Sequence, residues 1–414
     1  MTAPRASGFI RDNRAVPHAS RGHVGLVVLL GSLTAISPMS IDMYLPAFPA
    51  LQADLATDAA SVERTLSVFF IGLAVGQLLY GPASDRHGRR LPLLAGLALY
   101  TIASAGCALA GSIGQLQAWR ALQAFGGCAG VVTARAVVRD VFGPREAARV
   151  LSSLLLVMGV APILAPIVGG WVLAALGWRA LFGVLFAFGL VLWIATARAL
   201  PDTAPEQRVV TLTVGSVAAA FARVAREPRF RRAALACACG SCVLFAYISS
   251  APLLFIGMIG LTPSAFTFVF AGNAAGLIGA SQFNRLLLRR EETAVILWRA
   301  LLLQALAAVA LVAAASFTAP SLLTIGLPLL LVVLLLGLVL PNATALALAP
   351  FDRDAGTASA LLGALQYGLP GLATLAIGLL HDGTPRPMAF AVLGFVIAAL
   401  ALTYAVRRGD AATA

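Results

Sequence analysis

Asp42 and Arg120 are ionisable residues that lie inside long apolar segments of this sequence. A charge at the centre of a bilayer costs roughly 2.5–3.5 kcal/mol, so such residues face protein or water and not lipid. A carboxyl in that position can gain and lose a proton as its surroundings change, whereas a guanidinium stays charged at any accessible pH. We interpret Asp42 as a protonation site and Arg120 as a fixed charge that biases it. The alternatives are a solvated Asp42 at the membrane boundary and an Arg120 whose guanidinium reaches the interface.

Clustered cysteines are a further candidate for a chemical site. Cys237, Cys239 and Cys242 lie within one apolar segment, but on a helix they do not converge on a single face, so we expect no metal site. The sequence shows no paired nucleophile and base, no nucleotide-binding loop and no sizeable external domain, which argues against an intramembrane enzyme or receptor. We therefore expect no cofactor, and any work must be driven by a proton gradient.

The elements that must position these residues are apolar and long. The composition is 60% hydrophobic and 11% charged, with a mean hydropathy of +0.92, whereas about a quarter of the residues of soluble domains are charged. Because a membrane-spanning helix needs about 20 apolar residues, the sequence predicts an all-α membrane protein with twelve transmembrane helices. The predicted spans are 24–46, 65–84, 91–111, 113–138, 150–175, 179–200, 233–257, 263–286, 294–316, 321–349, 357–380 and 386–406.

The net charge of +12 reports topology and not a nucleic-acid partner. All 29 basic residues are arginine, and most of them fall in loops or ends on one side of the predicted spans. Arginine-rich loops stay in the cytoplasm, so we expect both termini there. The predicted parts are a cytoplasmic tail (1–23), a first six-helix half (24–200), a cytoplasmic linker with a surface helix near 218–226 (201–232), a second six-helix half (233–406) and a second tail (407–414).

A charged motif separates the second and third spans at 81–90, and we expect it to form a tight loop, because a Gly-Pro pair precedes its arginines. Opposite charges at a helix end can lock one conformation and release it in another. The residues of this predicted latch are Gly81, Asp85, Arg86, Gly88, Arg89, Arg90 and Asp140. The alternative is a solvated loop with no latch role. The motif is echoed at 281–290, where Asn284 takes the place of Asp85.

The fifth span carries glycines and prolines at intervals of three and four. Such a spacing places Gly159, Pro162, Pro166 and Gly169 on one helical face, with Gly170 beside them. Proline frees a backbone carbonyl and glycine admits a close neighbour. We expect this face to act as a bending seam between the two halves.

These motifs together resemble the major facilitator superfamily, in the drug:proton antiporter branch of the Bcr/CflA type. The segments that carry the resemblance are 42–49, 81–90, 120–126 with 134–140, 159–170, 341–344 and 360–366. The resemblance extends over about residues 24–406. It implies two six-helix halves, proton coupling at the helix-1 acid Asp42, a latch role for the 81–90 motif and antiport for the fifth-span motif. Some relatives carry a second acid two turns before Asp42, a place held here by Thr34.

We therefore expect a proton-coupled antiporter of the bacterial inner membrane that exports small lipophilic drugs. Its partners would be protons, the substrate and the lipid bilayer, and it would act as a monomer. The alternative is a proton symporter that imports a small nutrient. Polar and aromatic residues within spans are candidates to line a largely apolar drug cavity. They are Tyr44, Gln123, Phe245, Tyr247, Asn273, Asn342, Gln366 and Tyr367.

Overall fold

The computed structural model describes residues 21–200, 214–351 and 354–411. Twelve helices in these ranges are long and apolar enough to cross a membrane, which confirms the predicted architecture of twelve helical spans. The predicted tail up to residue 20, the linker residues 201–213 and the last three residues lie outside the described ranges.

The first half begins with α1 (Arg21–Asp42), which one 3₁₀ turn (Leu45–Ala47) joins to the short α2 (Phe48–Asp54), and the three together form the first span. Five spans follow: α3 (Ala59–His87), α4 (Arg90–Ala108), α5 (Ile113–Val141), α6 (Pro144–Leu176) and α7 (Trp178–Ala199). The linker contributes α8 (Val214–Arg226). The second half comprises α9 (Pro228–Pro252), α10 (Pro263–Leu287), α11 (Thr293–Phe317), α12 (Leu327–Leu348), α13 (Ala355–Leu379) and α14 (Arg386–Ala411).

Local sequence signals set several helix ends. Asp58 starts α3, because its side chain accepts a hydrogen bond of 2.6 Å from the backbone N–H of Ser61. Gly88 ends α3 with a φ of 81°, a left-handed conformation that glycine adopts without a steric cost. The turn at Gly88 reverses the chain, so that α4 begins at Arg90.

The expected loop at 81–90 is mostly helix, and this prediction was wrong. Helix α3 continues through Gly81 and Pro82 to His87. A proline removes one helical hydrogen bond, but a helix near hydrocarbon keeps its other backbone groups satisfied only if it continues. Asp85 and Arg86 therefore lie on the last turns of α3, and only Gly88 and Arg89 fall outside a helix.

The two halves meet along two antiparallel seams. In one seam α3 packs against α13, and in the other α6 packs against α10. Glycines of α13 allow a close approach in the first seam: a Cβ on Gly363 would crowd the Gln77 side chain, and a Cβ on Gly371 would crowd Ile71. Ser67 and Thr374 share a hydrogen bond of 2.9 Å across the same seam.

Helix α8 lies in the stretch where the sequence predicts a linker helix. It packs against α9 and α13, so it is docked on the second half. Its position along a cytoplasmic membrane surface stays a prediction.

The bundle has two ends, which are named here by the course of α3. The arginine-rich side is the side of the molecule where α3 ends and α4 begins. The opposite side is the one where α3 begins, at Ala59.

Candidate functional site

Asp42 is the last residue of α1 and is buried, with 3% of its surface exposed. Its Oδ1 atom has no hydrogen-bond partner in the described part of the chain. The side chain borders a cavity of about 210 Å³ that is lined by residues of α6, α9, α10 and α12. This burial goes against the alternative of a solvated boundary residue.

The walls of the Asp42 cavity are mainly apolar and come from both halves. Gly159 and Pro162 of α6 lie on one side, and Tyr247 and Phe270 lie on the other. The Tyr247 ring stacks on Phe270 at 5.5 Å between centroids, and its hydroxyl accepts a hydrogen bond of 2.8 Å from Asn273 Nδ2. Tyr247 therefore lines this cavity, and Asn273 supports it; that the cavity binds a substrate stays a prediction.

Gly169 fixes how closely α6 approaches the peptide that follows Asp42. A Cβ on Gly169 would overlap the carbonyl oxygen of Met43, so only glycine fits this contact. Gly159 and Gly170 instead face Ile278 and Thr267 of the second half. Ten residues turn a helix by about 80° less than three whole turns, so Gly159 and Gly169 lie at the two edges of the predicted face. This face therefore meets both α10 and the peptide after Asp42, and its action as a bending seam stays a prediction.

Arg120 is fully buried in α5, which excludes the alternative of a guanidinium at the interface. Its Nη1 donates a hydrogen bond of 2.6 Å to Gln123 Oε1, and Gln123 Nε2 donates one of 2.8 Å to Ser104 Oγ. The guanidinium carbon lies 4.4 Å from the centroid of Tyr44 and 4.1 Å from that of Phe69. Aromatic faces stabilise a desolvated cation, so Tyr44 and Gln123 hold Arg120.

Asp42 and Arg120 form no ion pair with each other within the described ranges. The Nε and Nη2 atoms of Arg120 have no hydrogen-bond partner there either. The two residues therefore occupy separate environments in this conformation. The electrostatic bias of Arg120 on Asp42 stays a prediction.

The remaining cavity candidates lie where the halves meet or inside the second half. The Phe245 ring packs 4.2 Å from Phe70 of the first half and 5.8 Å from Tyr367 of the second. Phe245 and Tyr367 are therefore placed at the interface. Gln366 donates a hydrogen bond of 3.1 Å to the Cys237 thiol.

Asn342 is the one cavity candidate that pairs with another amide. Its side chain exchanges hydrogen bonds with that of Asn284 on α10. Gln366 and Asn342 thus already have partners within the second half.

Arg89 is the centre of the charged cluster on the arginine-rich side. Its guanidinium donates to Asp85 at 2.5 Å, to Asp140 at 2.8 Å and to Ser84 Oγ at 3.0 Å. Arg89 is buried. The structure thus brings together Asp85, Arg89 and Asp140, three members of the predicted latch.

The other members of the predicted latch lie outside this cluster. Arg90 donates to the carbonyl oxygen of Ala197 at 2.5 Å, and Arg86 is exposed. Gly81 borders a second cavity of about 250 Å³ between the halves. Asp85, Arg89 and the α13 residue Ser359 border the same cavity.

Two further ionisable residues, Glu63 and Arg135, are not among the site residues predicted from the sequence. Glu63 is 2% exposed, but it fell outside the predicted second span, which began at residue 65. The helix-capping pattern at Asp58 could have placed it inside that span. Arg135 borders the 250 Å³ cavity.

The described residues contain no group of His, Cys, Asp and Glu that could hold a metal ion.

Comparisons with known proteins agree with this architecture. A family model described as Major Facilitator Superfamily matches residues 30–374. The chain is 33% identical over 371 residues to the uncharacterized MFS-type transporter YdgK of Bacillus subtilis, covering 88% of this chain and 91% of that protein. It is 32% identical over 382 residues to a chloramphenicol resistance protein of Pseudomonas aeruginosa, covering 91% of this chain and 89% of that protein.

A solved structure shows the same fold. The bacterial homolog of the human lysosomal transporter Spinster, in an inward-facing and occupied conformation, matches with a TM-score of 0.74 at 16% identity. The match covers 94% of this chain and 98% of that chain. The family model and the relatives confirm the resemblance that the motifs indicate. This multi-pass membrane protein therefore belongs to the Major Facilitator Superfamily.

Proposed function

We propose that this transporter is a proton-coupled antiporter that exports small, mainly lipophilic compounds. The observation that carries the proposal is Asp42, a buried carboxyl with an unpartnered oxygen at the edge of a largely apolar cavity between the halves. An intramembrane acid of this kind is by default a functional group. Its charge changes with each proton, while the rest of the cavity offers apolar surface to a substrate.

The coupling follows from the position of Asp42. A proton that neutralises Asp42 removes the cost of a buried charge, and a substrate in the cavity competes for the same space. If the two alternate, each outward move of substrate requires an inward move of a proton. One proton contributes about 2.3 kcal/mol per 100 mV of membrane potential, which sustains a gradient of a neutral compound of about fiftyfold.

The alternating access needed for this cycle is supported by the two seams. The halves touch along α3 with α13 and along α6 with α10, and a cavity borders Asp85 and Arg89 on the arginine-rich side. A rocking motion about the centre would open one side as it closes the other. Arg89, with its two carboxylates, would hold the first half in one of these states.

The substrate class is supported by the cavity and by one relative. The cavity at Asp42 contains the rings of Tyr247 and Phe270 and few polar groups. The Pseudomonas aeruginosa relative is named a chloramphenicol resistance protein. We infer a monomer in a bacterial inner membrane, with the arginine-rich side in the cytoplasm.

The test measures chloramphenicol uptake into everted membrane vesicles whose lumen is acidified. The parent chain should accumulate the compound, and Asp42→Asn should abolish the proton-driven part while the protein stays inserted. Asp382→Asn is the matched control, because Asp382 is exposed in a loop on the opposite side and an asparagine can still accept its hydrogen bonds from Thr384. Unimpaired proton-driven uptake by Asp42→Asn would reject the proposal.

A further inference from the structure

Glu63 is a second buried carboxyl, remote from the arginine-rich side. It lies on the second turn of α3, where only 2% of its surface is exposed. Its Oε1 has no hydrogen-bond partner among the described residues. A Cβ on Gly378 of α13 would lie 3.6 Å from Glu63 Oε2. The carboxyl is therefore enclosed in the seam between the two halves.

The seam runs in register from this point toward the arginine-rich side. One turn further along, Ser67 of α3 meets Thr374 of α13 through their hydroxyls. One more turn brings Gly371 against Ile71, and about two further turns bring Gly363 against Gln77. Glu63 and Gly378 thus lie near the end of the seam on the side where α3 begins, and they would be among the first residues to part if that side opened.

No charged group compensates Glu63 in the described part of the chain. Titratable or charged residues on α3, on α13 and on the elements and loops at this end of the bundle include Asp54, Asp58, Arg64, Arg120, Tyr367, His381, Asp382 and Arg386. None forms an ion pair with Glu63 within those residues.

The cations Arg64 and Arg120 have other partners. Arg64 donates to Ser61 Oγ at 2.6 Å and to Ala60 O at 3.4 Å on its own turn of α3. Arg120 lies among the rings of Tyr44 and Phe69. Between Ala355 and Leu379, α13 contributes no acidic or basic side chain at all.

A closed seam and an ionised Glu63 are hard to reconcile. A carboxylate removed from water without a cation or donors costs several kcal/mol, whereas the neutral acid costs far less. When the seam parts, water reaches the carboxyl and the charged form becomes favourable. The protonation state of Glu63 and the state of the seam are then linked.

We propose that Glu63 is a second proton-binding site, separate from Asp42, whose protonation allows α3 and α13 to close on the side opposite the arginine-rich side. The proposal rests on the proposed function insofar as it needs a seam that opens and closes. A proton taken up at Glu63 on closing returns to the same side on opening, so it is not carried across the membrane. The site therefore makes closing more complete when that side is acidic.

The experiment follows the seam directly and needs no substrate. Ala53→Cys and Leu380→Cys carry nitroxide labels, because both positions are exposed on this side and belong to different halves. The five native cysteines are buried. Pulsed electron spin resonance gives the distance between the labels in liposomes from pH 5 to pH 9. The chain carries Asp42→Asn, so that Asp42 does not contribute to the pH response.

With Glu63 intact, the ratio of short to long distances should fall as pH rises, by up to about tenfold per pH unit, the limit for one proton. Glu63→Gln should keep the short distance at every pH, because the amide has the same shape as the neutral acid and carries no charge. Asp58→Asn is the matched control: it removes a carboxyl one turn away, remains a good helix cap and should keep the pH response.

Two results would overturn the proposal: a pH response that survives Glu63→Gln, or a single distance at all pH values with Glu63 intact. The outcome is independent of chloramphenicol flux. A chain that transports no drug but shows the Glu63-dependent change in distance would reject the exporter and leave the seam site standing. Normal antiport by the parent chain without the Glu63-dependent change in distance would support the exporter and reject the seam site.

Discussion

The two halves of this transporter use different chemistry at the same place in their repeated sequence. On the arginine-rich side of the first half, Arg89 joins Asp85 and Asp140 through charged hydrogen bonds. In the second half, Asn284 stands where the repeat places Asp85, and it pairs with Asn342. Asn342 Nδ2 donates to Asn284 Oδ1 at 2.8 Å, and the reverse bond is 3.4 Å. Both asparagines are buried.

The difference indicates which half holds a movable contact. Asp85 is exposed and the cluster borders a cavity, so water can solvate these ions when they part and lower the cost of opening the contact. A buried amide pair has no such alternative, and breaking it leaves unsatisfied polar groups. We infer that the Arg89 cluster opens and closes during transport, while the Asn284–Asn342 pair keeps the second half rigid.

The strongest test converts the second half to the chemistry of the first. Asn284→Asp places a carboxylate in the buried amide pair without a cation, and we expect the free energy of unfolding to fall by roughly 3–5 kcal/mol at neutral pH. The measurement is the thermal midpoint in detergent. Adding Leu288→Arg restores the four-residue spacing of Asp85 and Arg89 and should recover part of the loss. A single variant as stable as the parent would contradict a rigid amide pair.

A smaller effect is expected when the charged cluster of the first half is removed. Arg89→Leu deletes three hydrogen bonds and leaves Asp140 without its ion pair, so the free energy of unfolding should fall by about 2 kcal/mol, with a loss of transport. Arg86→Leu removes the same charge from an exposed position three residues before Arg89 and should change stability little. Thermal midpoints and vesicle uptake measure both variants. Equal effects of the two would show that only the overall charge matters.

The smallest effect on stability is expected at the linker, where an ion pair joins α8 to the residue just before α13. The Arg223 guanidinium on α8 donates to both oxygens of Asp354, at 3.0 and 3.1 Å, and these bonds hold the pKa of Asp354 below its usual range. A lowered pKa means that this contact is fully present above the ordinary carboxyl value and is lost as pH falls through the lowered value.

Arg223→Gln should therefore loosen α8 at neutral pH and leave its docking insensitive to acid. Amide hydrogen exchange across α8 is the measurement, and we expect an increase of up to about fivefold, because the pair is exposed. Arg226→Gln, three residues along on the same helix, is the control. An unchanged exchange rate in Arg223→Gln would show that apolar packing alone docks α8.

The sequence predicts the spans well because lipid requires long apolar helices, and twelve such segments can be counted directly. It predicts functional roles for Asp42, Arg120 and Asp85, because an uncompensated charge near hydrocarbon is costly, and these roles stay predictions. It does not predict that Pro82 lies within a helix, since the gain from continued hydrogen bonding depends on surroundings. It also leaves Glu63 outside the second predicted span, because an acidic residue lowers the local hydropathy and shifts the apparent start of the span.

The missed contacts have a common physical cause: each depends on how helices are oriented about their axes. The position of Gly169 against Met43 and the pairing of Asn284 with Asn342 follow from packing between segments far apart in the chain. Spacing along one helix gives its faces only to within the drift of the helical repeat. Which face meets which neighbour is settled by the whole bundle.

The glycines of α13 carry a consequence for how this protein can evolve. The fit of Gly363 to Gln77 and of Gly371 to Ile71 is one of shape, and it lies outside the pocket beside Asp42. If this cavity binds the substrate, as proposed, single substitutions around Tyr247 and Phe270 would alter the range of compounds carried and leave the closure of the two halves undisturbed.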